Sequence, residues 1–543
     1  MGTRRSRLKR LLKKPVILLD CTGRLWWLPE SVVEVVLVVG KRDRSQQSFQ
    51  LVGPLRSFLP DDHILVQIDA VLDLSWLEDE VRGFYSADTG RPSIPPEAVV
   101  RLMLSGLLEG IVHDRALLRR AQTDLAIRWF IGYGLDEDLP DHSTLTRVRQ
   151  RWGAGVFERV FEKTVEQCLA AGLIDASVLH VDSTLIRADA SPDSFVEEHM
   201  LRVRAAHGMD EQGGKDSESA DDGDDDPPPP RGDGRETMGD VELDAVSQRS
   251  RQQGASKKRR VSQTDGECRF GRSSGSQRYT PSYKAHLAVE NAAGIIVGAG
   301  LTAGHVHDSE ALISLLARTG NRLGNGVEQV AADRAYGVAS NFEWLAAKQI
   351  EAIIGVQSQS RHKGGVPASR FSYDPWSDQV RCPGKRHLYR GRRVTYGVEY
   401  RSRARDCRRC HHASRCLSPS SKTRTIVISP FQASLVRARR RQYRGEIRNH
   451  ELWGRRWACV ERVFGEAKSR HGLRRVARRG LANAWTQVVL TCAVQNLRRL
   501  AKYQTSLGSF LHLYRATQAA VCAILVPPRG IRRPNLFRRA IAA

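Results

Sequence analysis

Val178-Leu179-His180-Val181-Asp182 is a short β-branched run that stops on a carboxylate. Side chains of this kind fit a pleated surface, so the run predicts a strand. A second run, Val327 to Ala332, stops the same way on Asp333. Between the two, His286 to Glu290 and Ile295 to Leu301 read as further strands around a turn at Asn291 to Gly294, and residues 309–323 read as a helix. After Asp333, Asn341 to Gln349 predicts a helix and Ile350 to Val356 a fifth strand. The order β-β-β-α-β-α-β predicts a mixed sheet covered by helices.

Outward from this core the pattern changes. Residues 51–175 read as helical. Pro95-Pro96-Glu97 can open a helix, because proline is tolerated in the first turn. Ala116 to Ile131 reads as one amphipathic helix. Pro140-Asp141-His142-Ser143-Thr144 offers Asp or Ser as a cap for a long helix, or a pair, reaching Ala171 before Gly172. Residues 208–260 are poor in apolar side chains and carry Asp221 to Asp226, Pro227 to Pro230 and Lys257 to Arg260. Such a tract cannot bury enough surface to order itself, so it reads as a disordered insertion. Residues 358–428 form a cysteine-rich insertion, and 429–502 read as helical and arginine-rich. The organisation expected is an extension (1–50), a helical domain (51–175), the first part of the core (176–357), the insertion (358–428), the helical end of the core (429–502) and a tail (503–543). Residues 1–50 are either a genuine arm or an upstream start, the latter being the simpler reading.

The net charge is +25 over 543 residues, and 41% of residues are hydrophobic. That fraction suffices for a sizeable core. The excess of Lys and Arg favours a polyanionic partner, whose counterions are released on binding. The apolar piece Val16 to Leu19 stops at Asp20, and Val32 to Val39 is broken by Glu34. Neither is long enough for a signal peptide or a membrane span, so a cytoplasmic, nucleoid-associated location with no membrane partner is expected. The ten cysteines are then expected as thiols or metal ligands instead of disulfides.

In-line cleavage of a phosphodiester needs both the attacking and the leaving oxygen stabilised. Two divalent cations held by converging carboxylates do this. Asp182 and Asp333, each at a strand end, and Glu461 in a late helix offer such a set. Taken singly, each is an ordinary surface acid.

Three stretches carry a resemblance. His180-Val181-Asp182-Ser183-Thr184-Leu185-Ile186, Ala332-Asp333-Arg334-Ala335-Tyr336-Gly337 and Val460-Glu461-Arg462-Val463-Phe464-Gly465-Glu466-Ala467-Lys468 resemble, in order, the three carboxylate motifs of DDE transposases. The chain is similar to the IS4/IS5 superfamily of bacterial insertion-sequence transposases, nearest its eleven-eighty-two group. The resemblance spans roughly 51–502 and includes Gly90 to Pro96, Leu108 to Ile111, Arg128-Trp129-Phe130 and Pro140 to Leu145. It implies an α/β, RNase-H-like core: a mixed five-stranded sheet with an N-terminal all-helical domain for DNA binding and assembly. It also implies two Mg²⁺ (or Mn²⁺) held by Asp182, Asp333 and Glu461. The reaction would be hydrolysis at the element ends and transfer of the 3′ hydroxyl into target DNA. The implied partner is double-stranded DNA, both terminal inverted repeats and target, with a homodimer assembled on it.

In that superfamily a Tyr and an Arg precede the glutamate by seven and four residues and a Lys follows by seven. Lys468 agrees; Gly454 and Trp457 occupy the first two places, with Arg455 and Arg456 just outside. Glu466 is a rival third carboxylate, but Leu473 stands seven residues after it. His305-Val306-His307-Asp308 also resembles a family stretch. Its aspartate is read as the cap of the helix starting at Ser309, in preference to a place near the metals.

Cys382, Cys407, Cys410 and Cys416 lie within 35 residues. They are candidate ligands of a structural zinc ion, the other reading being reduced thiols in a small β insertion. Lys468, Arg456, Arg470, Arg474 and Arg475 are candidate DNA contacts; such contacts fix position, not sequence. Arg115, Arg119, Arg120, Arg147, Arg149 and Arg151 suit a DNA-reading role for the helical domain. Two alternative functions remain open at this level: a catalytically decayed or domesticated copy that only binds DNA, and a host RNase-H-like nuclease.

Overall fold

A computed structural model describes residues 17–19, 25–27, 53–86, 93–197, 260–272, 278–324, 326–357 and 365–525; the side chains of 17–19, 25–27, 456–457 and 507–525 are not described. Residues 1–54 and 55–543 are two compact units. In the first, β1 (Ile17–Leu19) pairs antiparallel with β2 (Leu25–Trp27); the rest of the 1–50 extension lies outside the described residues. So does the expected disordered insertion, apart from Arg260, which opens a strand.

The second unit begins with helices. These are α1 (Ile64–Asp69), α2 (Leu77–Val81), α3 (Pro96–Leu108), α4 (Asp114–Thr123), α5 (Leu125–Ile131) and α6 (His142–Ala170). Pro96 stands at the start of α3, where its missing N–H costs nothing. The single helix expected over 116–131 is two. Asp124 breaks it, because its carboxylate accepts from the backbone N–H groups of Ala126 and Ile127 and so caps α5. Asp141, not Ser143, caps α6, accepting from Ser143 N at 2.8 Å. That helix is in effect a pair: Gly153, at φ +67°, turns the chain in a conformation that a side chain would resist.

The central sheet contains β3 (Val178–Arg187), β6 (Arg269–Gly271), β7 (Thr280–Glu290), β8 (Ile296–Ala303), β9 (Gln329–Ala332) and β10 (Glu351–Ile354). A separate pair, β4 (Phe195–Glu197) and β5 (Arg260–Ser262), stands apart from it. The sheet order is β10-β9-β3-β7, with β8 and the short β6 pairing with β7. Strand β3 is parallel to β9 and antiparallel to β7. The architecture is mixed α/β, and the predicted succession of five strands and two helices is present in order; the sheet nevertheless has six strands and not five, because the short β6 pairs with the start of β7. The helices are α7 (Asp308–Arg322) and α8 (Ala339–Ala347).

The cysteine-rich insertion is a second, antiparallel sheet of β11 (Ser372–Asp374), β12 (Gln379–Arg381), β13 (His387–Val394), β14 (Gly397–Arg401) and β15 (Thr425–Ile428). The short helices α9 (Ala404–Arg408) and α10 (Ala413–Cys416) lie between its last two strands. Its core, Phe371, Val380, Leu388, Tyr400, Ile426 and Ile428, is separate from the main one.

The arginine-rich end is less continuous than its composition suggests. It divides into α11 (Gln432–Tyr443), α12 (Glu451–Arg456), a π-helical turn (Trp457–Glu461), α13 (Arg462–Arg470) and α14 (Leu481–Leu525). Residues 471–480 between the last two are a loop. Helix α14 runs through much of the expected tail. It packs on α6 and β8. Trp485, Val488, Val489, Val494 and Leu497 of α14 are almost fully buried, each such side chain contributing about 1.5–3 kcal/mol. Asn496 fastens it to β8: its Oδ1 accepts from Ile296 N, and its Nδ2 donates to Ile296 O, both at 2.9 Å.

Candidate functional site

Register brings the first two carboxylates together. On the parallel pair β3 and β9, Val181 stands opposite Ala332, so the next residues are Asp182 and Asp333. Neighbouring strands lie about 4.8 Å apart, and equal register sends both side chains to one face. Asp182 is half-buried and accepts from Ser183 N at 2.8 Å. Asp333 accepts from Arg334 N and caps the turn Arg334–Tyr336. The buried Tyr336 hydroxyl senses both: its pKa is held well above the ordinary value by burial, then by Asp308 and Asp182, with Asp333 adding to them against a hydrogen bond from Ser183.

The third acid is carried by a helix over the same strand. The π-helical turn ending at Glu461 packs against β3 and β7. Seven residues on, Lys468 Nζ donates to Thr184 Oγ1 at 2.5 Å. Thr184 shares a face of β3 with Asp182. Burial, and then Arg474, pull the Lys468 ammonium below its usual range. Glu461 itself is exposed. Glu466 is engaged elsewhere, 3.2 Å from Arg499 and 3.7 Å from Arg498 of α14. The His471 ring nitrogen, 3.7 Å away, and the two arginines hold its carboxyl down at about 2 despite burial.

The π turn bears on the irregular spacing of the third motif. A π turn accommodates one more residue than an α turn. One turn upstream of Glu461 is therefore position 456, an arginine, and one α turn further is Trp453. The Trp453 ring lies against the end of β10: a Cβ on Gly355 would stand 3.3 Å from it.

Asp308 does not cap α7. His307 does, accepting from Ser309 N. Asp308 Oδ1 instead accepts from Ser183 Oγ at 2.9 Å and pairs with Lys284 Nζ at 2.8 Å. Burial raises its pKa, but Lys284, His286 and Ser183 together bring it below the ordinary value. His286 is buried, 3.0 Å from Thr302 Oγ1 and 3.5 Å from the Tyr336 hydroxyl. Burial lowers its pKa to about 4. Sequence reasoning missed this polar layer beside β3, since no local pattern ties Ser183 and Lys284 to Asp308.

The four cysteines gather where β12 and β14 end. All are free thiols. Arg386 N donates to Cys382 Sγ at 3.3 Å. A Cβ on Gly384 would lie 3.1 Å from Cys410 Sγ and 3.6 Å from Cys382 Sγ. Burial raises the Cys416 pKa; Arg424 opposes this, and Cys407, Cys382 and Cys410 add to it. Even so, among the described residues no three His, Cys, Asp or Glu side chains stand close enough to grip one metal ion, here or at the carboxylates.

Of the basic candidates, Arg470 and Arg474 are exposed, and Arg475 pairs with Asp189 at 2.7 Å. The Arg456 side chain lies outside the described residues. Among the described residues, no helix is long and apolar enough to cross a membrane.

Known families correspond to two parts of the chain. Residues 54–151 match the family described as "Transposase domain (DUF772)", and residues 381–501 match "Transposase DDE domain". The first is the helical part through the first half of α6; the second runs from the end of β12 into α14 and includes Glu461. Asp182 and Asp333 lie between the matched segments. The two matches support a DDE transposase. No curated protein matches the chain by sequence. Among solved structures, a piggyBac transposase synaptic complex with hairpin DNA overlaps 82% of this chain and 76% of that chain at 9% identity. Its TM-score of 0.31 is too low to define the fold.

Proposed function

We propose that this chain is a DNA transposase with an RNase-H-like core, whose Asp182, Asp333 and Glu461 are the catalytic carboxylates. The observation that carries this is the consecutive register of Asp182 and Asp333 on parallel strands, beneath the helix anchored by Lys468 to Thr184. The two aspartates stand in adjacent register as hard oxygen donors, the ligand type that a divalent cation takes. Together with Glu461 they would hold Mg²⁺ or Mn²⁺, which when bound lowers the pKa of water and stabilises charge on phosphoryl oxygens. The chain's own contribution is to fix these acids, to hold a backbone phosphate with Lys468 and to follow the DNA with Arg456, Arg470, Arg474 and Arg475. A 3′ hydroxyl freed at an element end would then attack target DNA in the same site. The π turn supports the IS4/IS5 assignment: allowing for its extra residue, Trp453 and Arg456 take the aromatic and arginine places before Glu461.

Cys382, Cys407, Cys410 and Cys416 are proposed to hold a structural zinc ion. Cys382 and Cys410 both approach Gly384, and the N–H directed at Cys382 Sγ suits a thiolate. A DNA-binding role without catalysis draws on one observation: Glu461 is exposed and no three acids converge among the described residues.

The test is strand cleavage by the purified full chain on duplexes carrying the repeats that flank its gene, with Mg²⁺. Asp182→Asn should abolish cleavage and keep duplex binding. Equal cleavage by that variant would overturn the assignment.

A further inference from the structure

The cleft between α6 and the loop leading into α14 belongs to neither the carboxylates nor the thiols. It encloses about 360 Å³ and is lined by Thr146, Arg149, Gln150, Asp189, Arg478, Arg479 and Asn483. Every one of these side chains is polar, so the cleft suits a hydrated or charged ligand and not an apolar one.

Its floor is built from distant parts of the sequence. Asp114, at the start of α4, receives both guanidinium nitrogens of Arg149, each at 2.8 Å. The same carboxylate takes Arg478 at 2.5 Å. Two arginines thus share one acid, and all three side chains are largely buried, at 8%, 10% and 23% exposure for Arg149, Asp114 and Arg478. One positive charge there is left uncompensated by Asp114. Burial lowers the Arg478 pKa, and the nearby Arg149 charge lowers it further; an anion would relieve that crowding. On the rim, Arg475 and Arg479 share Asp189 at 2.7 and 3.6 Å. Across floor and rim, four arginines face two carboxylates.

The loop is held in place by backbone bonds. Arg187 N donates to Arg474 O at 3.1 Å, and Val476 N to Arg187 O at 2.9 Å, extending the end of β3. The cleft therefore has a fixed relation to Asp182. From Asp182 to Arg187 the strand rises about 17 Å at ~3.3 Å per residue, and Asp189 lies two residues beyond. At about 3.4 Å per nucleotide along one strand of a duplex, that is roughly five to seven nucleotides.

We infer that this cleft seats one backbone phosphate of bound duplex DNA, about half a helical turn from the cleavage site, and joins the helical domain to the catalytic end through that phosphate. The inference rests on the DNA-binding reading above and adds a site to it. The anion is bound by charge and by the amide and hydroxyl donors of Gln150, Asn483 and Thr146, so the contact is indifferent to base sequence.

The test uses the full chain and a random-sequence 40-base-pair duplex, with affinity measured across a salt series. Each neutralised phosphate contributes about 0.9 to the slope of log affinity against log salt. Arg479→Gln, at the exposed rim, should weaken binding several-fold. The double variant R478Q/R479Q should lower the slope by about 0.9, the value for one phosphate and not two. Thermal unfolding establishes that each variant is folded; if the double variant is not, R479Q alone decides. An unchanged slope and affinity in a folded variant would overturn the cleft while leaving DNA binding intact. Failure of the parent chain to bind the duplex would overturn both.

Discussion

Two sets of ligand-type residues occur in this molecule, and they are assembled in opposite ways. The thiols are local: all four fall in one short insertion with its own small core, brought together by hairpin turns and two short helices. The carboxylates are distant in sequence: the register of a parallel strand pair sets Asp182 beside Asp333, and Glu461 stands on a turn packed against the same strand. A local set depends on its own folding unit. A distributed set can be emptied of function without disturbing the fold, because each acid sits on an element held by other contacts.

The largest test of that contrast is at Asp182. Replacing it with Asn should cut Mg²⁺-dependent cleavage by at least about 10³-fold, the loss of several kcal/mol of transition-state stabilisation, with the melting temperature little changed. A large fall in melting temperature would mean the acid is structural. The thiols should behave in reverse. Elemental analysis of the purified chain should find about one zinc per protein. Cys407→Ser together with Cys410→Ser should remove it and open the insertion to protease. Zinc-free parent protein with the same protease resistance would end the zinc reading.

The polar layer beside β3 supplies a third effect. His286 has a folded pKa of about 4 against an ordinary 6.5, so the unfolded chain takes up the proton first. Stability should therefore fall as pH drops from about 6.5 to 4, by an amount on the order of 3 kcal/mol. Glu466, lowered to about 2 from 4.5, loses its contribution only in the more acid window below about 4.5. Chemical denaturation between pH 7 and 4.5 should show the loss in the parent and a smaller one in His286→Asn. An identical pH dependence would remove His286 as its source. The smallest effect belongs to the helical domain: Asp141→Ala should cost about 1 kcal/mol by uncapping α6. A value near zero would show that tertiary packing, not the cap, fixes that helix end.

The strands that end on Asp182 and Asp333 were legible because β-branched runs and turn residues act locally. Strand β3 extends well past Asp182, to Arg187, because cross-strand pairing with β7 continues through polar residues that carry no strand signal. The break at Asp124 was missed because a side chain capping the next helix competes with an apolar periodicity that runs on unbroken. The assignment of Asp308 as a cap was wrong for a related reason. His307 supplies the cap, which frees Asp308 to meet Ser183 and Lys284 of the interior strands β3 and β7. The arginines at 474–479 belong to the stretch read as helical, yet they lie in a loop pinned to β3 by backbone bonds.

By itself the sequence determined the order of elements, the two acids carried by strand runs, and the candidate thiols, since each follows from side-chain chemistry over a few residues. The tertiary structure alone decided what stands beside what. Parallel register set Asp182 next to Asp333, the π turn set which residues precede Glu461 by one turn, and the sharing of Asp114 by Arg149 and Arg478 joined the helical domain to the loop before α14. These are long-range pairings, fixed by burial and by the satisfaction of buried charge, and no local pattern encodes them.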